Sequence, residues 1–360
     1  MLKIDFSPNE VESHAAEALE KLLREIPVLK LKPIQIGSEA RDSGIDIMMR
    51  TEVSGKAHLL VCEVKQSGQP RYARDAVMSL RHYITEHGNA ATPVFIAPYV
   101  SPDTREFCRQ NGVSFLDLEG NARLSFGTVF IERVVPNKPA AERREFKSLF
   151  TPKSAQVLRI MLRDPKRVWR VSDLAKEAEV SLGHVSNVRT ALLDREWAEV
   201  VPAGLHLTAP DGVLDAWRSG YEGPNAVQLR FYTVLHGIAF DAAARELFAT
   251  LPQKAHAALA SFSAANWIAP YARTGTQYFY ADKLALNCIE KILRLSSASK
   301  GENVIVYLPR YQGVFLDLSE PAPGIHCTSP LQTYLDLSTN GERGKEAAEH
   351  LRRLKLAWQT

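Results

Sequence analysis

The chain is poor in cysteine, with four in 360 residues, at Cys62, Cys108, Cys288 and Cys327. None forms a C-x-x-C pair, which argues against a zinc ribbon and for a reducing compartment. No apolar run is long enough to span a membrane. The start, Met1-Leu2-Lys3-Ile4-Asp5, lacks the apolar core of a signal peptide. These absences lead to the expectation of a cytoplasmic protein without a membrane partner. Internal repeats and low-complexity tracts are missing too. Net charge is small, at +3, so bulk charge alone does not demand nucleic acid, and its local distribution matters more. Apolar residues make up 45% and charged ones 24%, as in a soluble globular protein. The length suits two or three domains.

Against this plain background one constellation stands out. Asp46 lies in a short apolar stretch, Gly44-Ile45-Asp46-Ile47-Met48, and a second stretch, Leu59-Leu60-Val61-Cys62-Glu63-Val64-Lys65, ends in an acid and a lysine. Alternate side chains of a strand share a face. Val61, Glu63 and Lys65 therefore point one way, and Leu60, Cys62 and Val64 the other. If the two strands pair, Asp46 comes beside Glu63. Two carboxylates and an ammonium then converge, an arrangement that can hold a hard divalent cation and a water. The alternative is a solvated strand face, on which Glu and Lys often alternate. The apolar run from Leu59 to Val64 favours a central strand, where an unpaired charge is costly.

This pattern resembles the PD-(D/E)XK nuclease superfamily, with its restriction-endonuclease-like fold. The resemblance covers roughly the first third of the chain. It implies that Asp46 and Glu63 bind Mg2+ or Mn2+, with the Val64 carbonyl as a further ligand. Lys65 would orient or activate the attacking water. Gln66 also recurs in some branches of the superfamily; otherwise it simply opens the loop Ser67-Gly68-Gln69-Pro70. Many members add an acid from a first helix. Here Ser7-Pro8-Asn9-Glu10 opens a helix through Leu23, with Ser7 and Glu10 as a capping box and Pro8 at its first position. Glu12, at the edge of the stripe Val11, Ala15, Ala18 and Leu22, is the candidate helix acid; the other reading is a solvated surface residue.

The following elements suit a mixed α/β sheet. A helix is expected over 73–86 with Gly88 as its stop, a strand over 92–97 and a helix over 102–110. Strands follow over 113–118 and 122–126, turned by Glu119-Gly120-Asn121. A polar, Pro-bearing stretch around Asn137-Lys138-Pro139 reads as a linker or an exposed helix.

Residues 151–222 carry a second pattern. One helix is marked by Ala155, Leu158 and Met161, and a short one spans 171–178 with a capping serine. A third runs over 182–196. A hairpin, 198–201 and 205–208, turns on Pro202-Ala203-Gly204. Three helices and a hairpin resemble a winged helix-turn-helix domain, whose third helix enters the major groove of DNA. Val185, Val188 and Leu192 should face the core. His184, Ser186, Asn187 and Thr190 then lie on the open face, where Asn can read adenine and Ser or His can contact phosphate. Lys166, Arg167, Arg170 and Lys176 add charge suited to phosphates. The polar face carries few Lys or Arg, so a role in protein contacts alone stays open.

From 223 onward the pattern is mixed. Helices are expected over 241–250, 253–262 and 342–356, and strands over 304–308 and 314–318. Pro330-Leu331-Gln332-Thr333-Tyr334-Leu335-Asp336-Leu337 and Gly341 to Leu351 resemble AbiE-type antitoxin regulators of type IV toxin-antitoxin systems. That resemblance implies promoter binding by the winged helix and a toxin partner. Typical members begin with the winged helix, whereas this chain begins with the nuclease-like segment.

The expected architecture is thus α/β: a restriction-endonuclease-like domain (1–136), a linker (137–150), a winged helix-turn-helix (151–222) and an α+β C-terminal domain (223–360). Three functions compete. One is a metal-dependent nuclease acting on double-stranded DNA, for which a homodimer would supply two active sites. Another is a non-catalytic regulator or antitoxin. The last is a protein-interaction scaffold.

Overall fold

A computed structural model of the chain describes residues 7–36, 45–87, 91–136, 139–271, 274–298 and 300–358. Met1 to Asp5, Gly44, Gly88, Asn137 and Lys138, which enter the reading above, lie outside the described residues. The chain divides into two compact units, Met1–Lys147 with Thr190–Glu196, and Ser148–Arg189 with Trp197–Thr360. Among the described residues, no helix is long and apolar enough to cross a membrane.

The first unit opens with helix α1, Pro8–Arg24. Its capping box is formed: the Ser7 hydroxyl accepts from the Glu10 amide, and the Glu10 carboxylate accepts from the Ser7 amide at 2.7 Å. Strands β1 (Leu29–Leu31), β2 (Gln35–Ile36), β3 (Ile47–Val53) and β4 (Lys56–Val64) follow. Ser54 and Gly55, both at positive φ, turn β3 into β4, the backbone that a tight hairpin requires. Then come α2 (Pro70–His87), β5 (Ala91–Ala97), α3 (Pro102–Gln110), β6 (Ser114–Asp117), β7 (Ala122–Phe126) and β8 (Val129–Arg133).

These strands form one mixed sheet in the order β1-β3-β4-β5-β6-β7-β8, with β2 also on β3. The pairs β4/β5 and β5/β6 are parallel, and the others are antiparallel. Alternation along β4 sorts its side chains between two cores. Leu60, Cys62 and Val64 pack with Val11, Ala15, Leu19 and Leu23 of α1. Val61 packs on the other side with Ala73, Val77 and Leu80 of α2 and Cys108 of α3. Helix α4, Ala140–Leu149, occupies the stretch that follows.

The second unit begins with helices α5 (Pro152–Arg163) and α6 (Val171–Glu177), and helix α7 (Leu182–Asp194) starts within it. Val185, Val188 and Leu192 are buried, as their spacing predicts. The expected serine cap of α6 is not made: Arg170 occupies the cap position, and the Ser172 hydroxyl turns to Asp173. Strands β9 (Ala198–Val201) and β10 (Gly204–Leu207) pair as a hairpin, with helix α8 (Pro210–Gly220) after them. Trp169 joins the hairpin through two backbone hydrogen bonds of 2.8 Å with Leu205. That close approach explains Gly204, which sits at φ +147° where a Cβ would lie 2.3 Å from the Trp169 carbonyl oxygen.

The remaining elements are β11 (Ala226–Tyr232), α9 (Ile238–Thr250), β12 (Ala257–Leu259), α10 (Ser261–Ile268), β13 (Gln277–Ala281), α11 (Lys283–Ile292), β14 (Ser296–Ser297), β15 (Val304–Pro309), β16 (Ser319–Ala322), β17 (Ile325–Cys327), α12 (Pro330–Ser338) and α13 (Gly341–Lys355). Their mixed sheet runs β14-β11-β15-β13-β12-β17-β16. Two expectations fail here. The helix expected over 253–262 is a strand, Ala257–Leu259, then a helix from Ser261. Its small residues favour helix locally, but pairing with both β13 and β17 buries them completely, and tertiary context overrides propensity. The strand expected over 314–318 is instead a 3-10 turn, Gln312–Phe315, with no strand partner. Its apolar residues Val314, Phe315 and Leu316 are consecutive and all half-buried, without the two-residue alternation of a strand.

Replacing Gly204 with Ala should lower stability by about 1–3 kcal/mol. Equilibrium denaturation checks this, and an unchanged midpoint would contradict the close approach to Trp169.

Candidate functional site

Pairing of β3 with β4 brings the singled-out charges together. Ile47 stands opposite Cys62. One step beyond, the Asp46 amide donates to the Cys62 carbonyl at 3.2 Å. The Asp46 Oδ2 atom accepts from the Val64 amide at 2.7 Å. Asp46 thus precedes the first residue of β3, clamped by backbone against the end of β4.

Glu63 sits near that end of β4 and is only 6% exposed. Lys65 reaches back so that its Nζ lies 2.6 Å from Glu63 Oε1. The other oxygen, Oε2, is buried without a hydrogen-bond partner. Burial pushes the Glu63 carboxyl above its usual range, and the Lys65 hydrogen bond pulls the other way. Asp46 and, more weakly, Glu12 add to the rise by like-charge repulsion. Glu12, half-buried on α1, is therefore within electrostatic reach of Glu63. Gln66 is exposed, just beyond Lys65.

The loop carrying these groups is pinned on both sides. The Lys65 amide donates to the Ile96 carbonyl and the Ser101 amide to the Gly68 carbonyl, each at 3.0 Å. A Cβ on Gly68 would fall 1.9 Å from the Tyr99 carbonyl oxygen, so only glycine fits. Gln69 is buried, and its amide donates to Glu142 of α4 at 3.2 Å. In sequence Gly68 and Gln69 read only as part of the loop Ser67-Gly68-Gln69-Pro70. The signal was a glycine directly after the motif, where parallel strands bring two loops together.

Asp117 closes the neighbouring strand end and was also missed. Its Oδ1 accepts from the Glu119 and Asn121 amides, and its Oδ2 from the Val100 amide and the Asn121 side chain. Its residue type announced a turn, not this buried hub.

Among the described residues, no group of three or more His, Cys, Asp or Glu side chains could hold a metal ion by itself. Magnesium asks for less, since it is usually held by one or two carboxylates, waters and substrate phosphates. Two adjacent carboxylates, one with a buried oxygen that lacks a partner, fit that demand.

In the second unit His184, Ser186 and Asn187 are exposed on α7, and Thr190 is exposed further along the same helix. Lys166, Arg170 and Lys176 are exposed as well. Arg167 is already engaged. It pairs with Glu177 at 3.2 Å, and its guanidinium carbon lies 3.7 Å from the Trp169 ring centre.

No protein-family model matches the chain, and no curated protein matches it. Among solved structures, EndoMS in apo form matches with 17% identity and a TM-score of 0.21 over 32% of this chain and 47% of its own. A complex of EndoMS with dsDNA matches at 16% identity and 0.21, covering 29% and 45%. A repair endonuclease from Pyrococcus abyssi matches at 16% and 0.20, covering 32% and 49%. The chain spans about half the length of the structures it matches.

The buried Glu63 oxygen generates a prediction. Mg2+ or Mn2+ should raise the melting temperature of the wild type by ligand linkage, and Glu63→Gln should abolish the rise. Proton and metal compete for one carboxylate whose affinity for protons is raised, so the metal effect should shrink as pH falls toward the raised Glu63 value. Thermal melts with and without metal across pH measure both. A metal response that survives Glu63→Gln would move the ion elsewhere.

Proposed function

We propose that the first unit is a divalent-metal-dependent nuclease acting on DNA phosphodiesters. The observation that supports this most is the buried, unpartnered Glu63 Oε2 beside Asp46 and a paired Lys65. In this reading Asp46, Glu63 and the Val64 carbonyl hold Mg2+ or Mn2+, with Glu12 contributing from α1. A bound divalent ion would polarise a water and offset charge on the scissile phosphate. Lys65 orients that water and stabilises charge building on the phosphate. Gln66, exposed at the mouth of the loop, contacts the substrate backbone.

A second reading is a DNA-binding regulator without cleavage. The three helices and hairpin within 151–222, joined by the Trp169–Leu205 bridge, favour it. We read this segment as a winged helix-turn-helix with His184, Ser186, Asn187 and Thr190 toward bases. Lys166, Arg170 and Lys176 would then lie toward phosphates, whereas Arg167 is held by Glu177 and Trp169. The two readings are compatible, because binding by one unit can serve cleavage by the other.

Cleavage of supercoiled, linear and single-stranded DNA with Mg2+ or Mn2+ tests the first reading. Glu63→Ala and Lys65→Ala should each reduce the rate by at least about a hundredfold. If no DNA form is cut while duplex is bound, the regulator reading stands alone. For the second reading, Lys176→Ala should weaken duplex binding evenly across sequences and reduce the salt slope by about one. Binding without salt dependence would instead favour a protein-interaction role.

A further inference from the structure

The second unit buries a charged cluster that neither functional reading uses. Asp336 on α12 is 3% exposed, and Arg159 on α5 is 6% exposed. The Arg159 guanidinium donates to the Gln332 side-chain oxygen and lies over the Trp217 ring. Gln332 in turn donates to Asp336 Oδ1 at 2.7 Å. The same oxygen accepts from the hydroxyls of Tyr221 at 2.6 Å and Tyr280 at 3.1 Å. Asp336 Oδ2 is buried with no partner. The cluster therefore ties the first helix of this unit to the end of α8, to a central strand of the seven-stranded sheet and to α12.

We propose that this cluster is a protonation-controlled latch, in which α5 is held against the C-terminal sheet more tightly when Asp336 is protonated than when it is ionised. The argument is one of uneven solvation. Ionised Asp336 concentrates three donors on one oxygen and leaves the other buried without a donor. Its counter-charge, Arg159, reaches it only through Gln332. The groups facing it are Tyr221, Tyr280 and Gln332 at contact, with Arg159 and Tyr307 acting through charge. Asp317 competes for Arg159, being itself 3.5 Å from Arg163. Arg218 of α8, with Arg352 and Glu349 of α13, acts on Tyr334, two residues away along α12.

Desolvation is the largest influence on Asp336 and raises its pKa to about 6; hydrogen bonds from Tyr221, Gln332 and Tyr280 oppose it. The sign follows. An opened cluster solvates Asp336 and returns it to the ordinary carboxylate range, so the closed cluster binds the proton more tightly. Closure is fully favoured below that ordinary range. It weakens as pH rises toward 6 and stays weaker above, where Arg159 must offset a full buried charge.

The test compares the full chain with Asp336→Asn. At about pH 7.5 the variant should melt higher than wild type, and the gap should narrow as pH falls to about 5. A gap that is independent of pH, or of the opposite sign, would overturn the latch. Hydrogen exchange on the wild type alone guards against a variant that misfolds. After correction for intrinsic rates, protection of 156–162 should fall between those two pH values. Constant or rising protection would count equally against the proposal.

Discussion

Most of what is distinctive in the first unit depends on one costly placement, a carboxylate near the end of a central, buried strand. Neighbours on both sides of β4 are apolar, and the sheet continues through β3 and β5. A Glu there has lost most of its water and is compensated on one oxygen alone. Lys65 supplies that compensation, but it is the residue two places along the same chain, not part of an enclosing network. The remaining oxygen accepts no hydrogen bond from the polypeptide, which is the observation behind the proposed metal site.

Asp117 shows what the structural alternative looks like. It stands at the end of β6, one strand beyond β5, and is as deeply buried as Glu63. Four donors from Val100, Glu119 and Asn121 divide evenly between its two oxygens. A carboxylate recruited to hold turns together has its lone pairs filled by backbone. The same sheet therefore carries one carboxylate satisfied from within and one that is not. Open α/β sheets bind ligands beyond the carboxyl ends of their parallel strands, and the parallel pair β4/β5 ends at the loop held by Gly68.

Much of this was legible because strand periodicity is a strict constraint. With Ile47 opening one strand and Cys62 to Val64 closing the next, antiparallel pairing leaves little freedom in where Asp46 and Glu63 meet. Helices with clear starts were equally readable; Ser101 and Pro102 fix the start of α3, and Ser7 with Glu10 fixes α1. Strands β1, β2 and β8 are not legible, being two to five residues long and largely unburied, too short for a pattern to declare them. Gly68, Asp117 and Ala257–Leu259 were misread or passed over for a common reason. What each does is decided by a neighbour distant in sequence, and no local pattern records that neighbour.

Asp336 completes the comparison and shows why an unpartnered buried oxygen has no single meaning. Like Glu63, it leaves one buried oxygen without a hydrogen-bond partner. Unlike Glu63, it lies within a ring of neutral donors, two tyrosines and a glutamine, and among the described residues no other acid joins it in a metal-binding group. Its nearest positive charge is an arginine one residue removed through Gln332, and the cluster bridges helices and sheet rather than ending a strand. A cation needs convergent negative charge, which Asp46 and Glu63 supply. A proton needs only one carboxylate that its surroundings fail to stabilise when ionised, which is the condition at Asp336. The two sites carry the same local defect in solvation, and the charges around each decide whether a metal or a proton is the natural remedy.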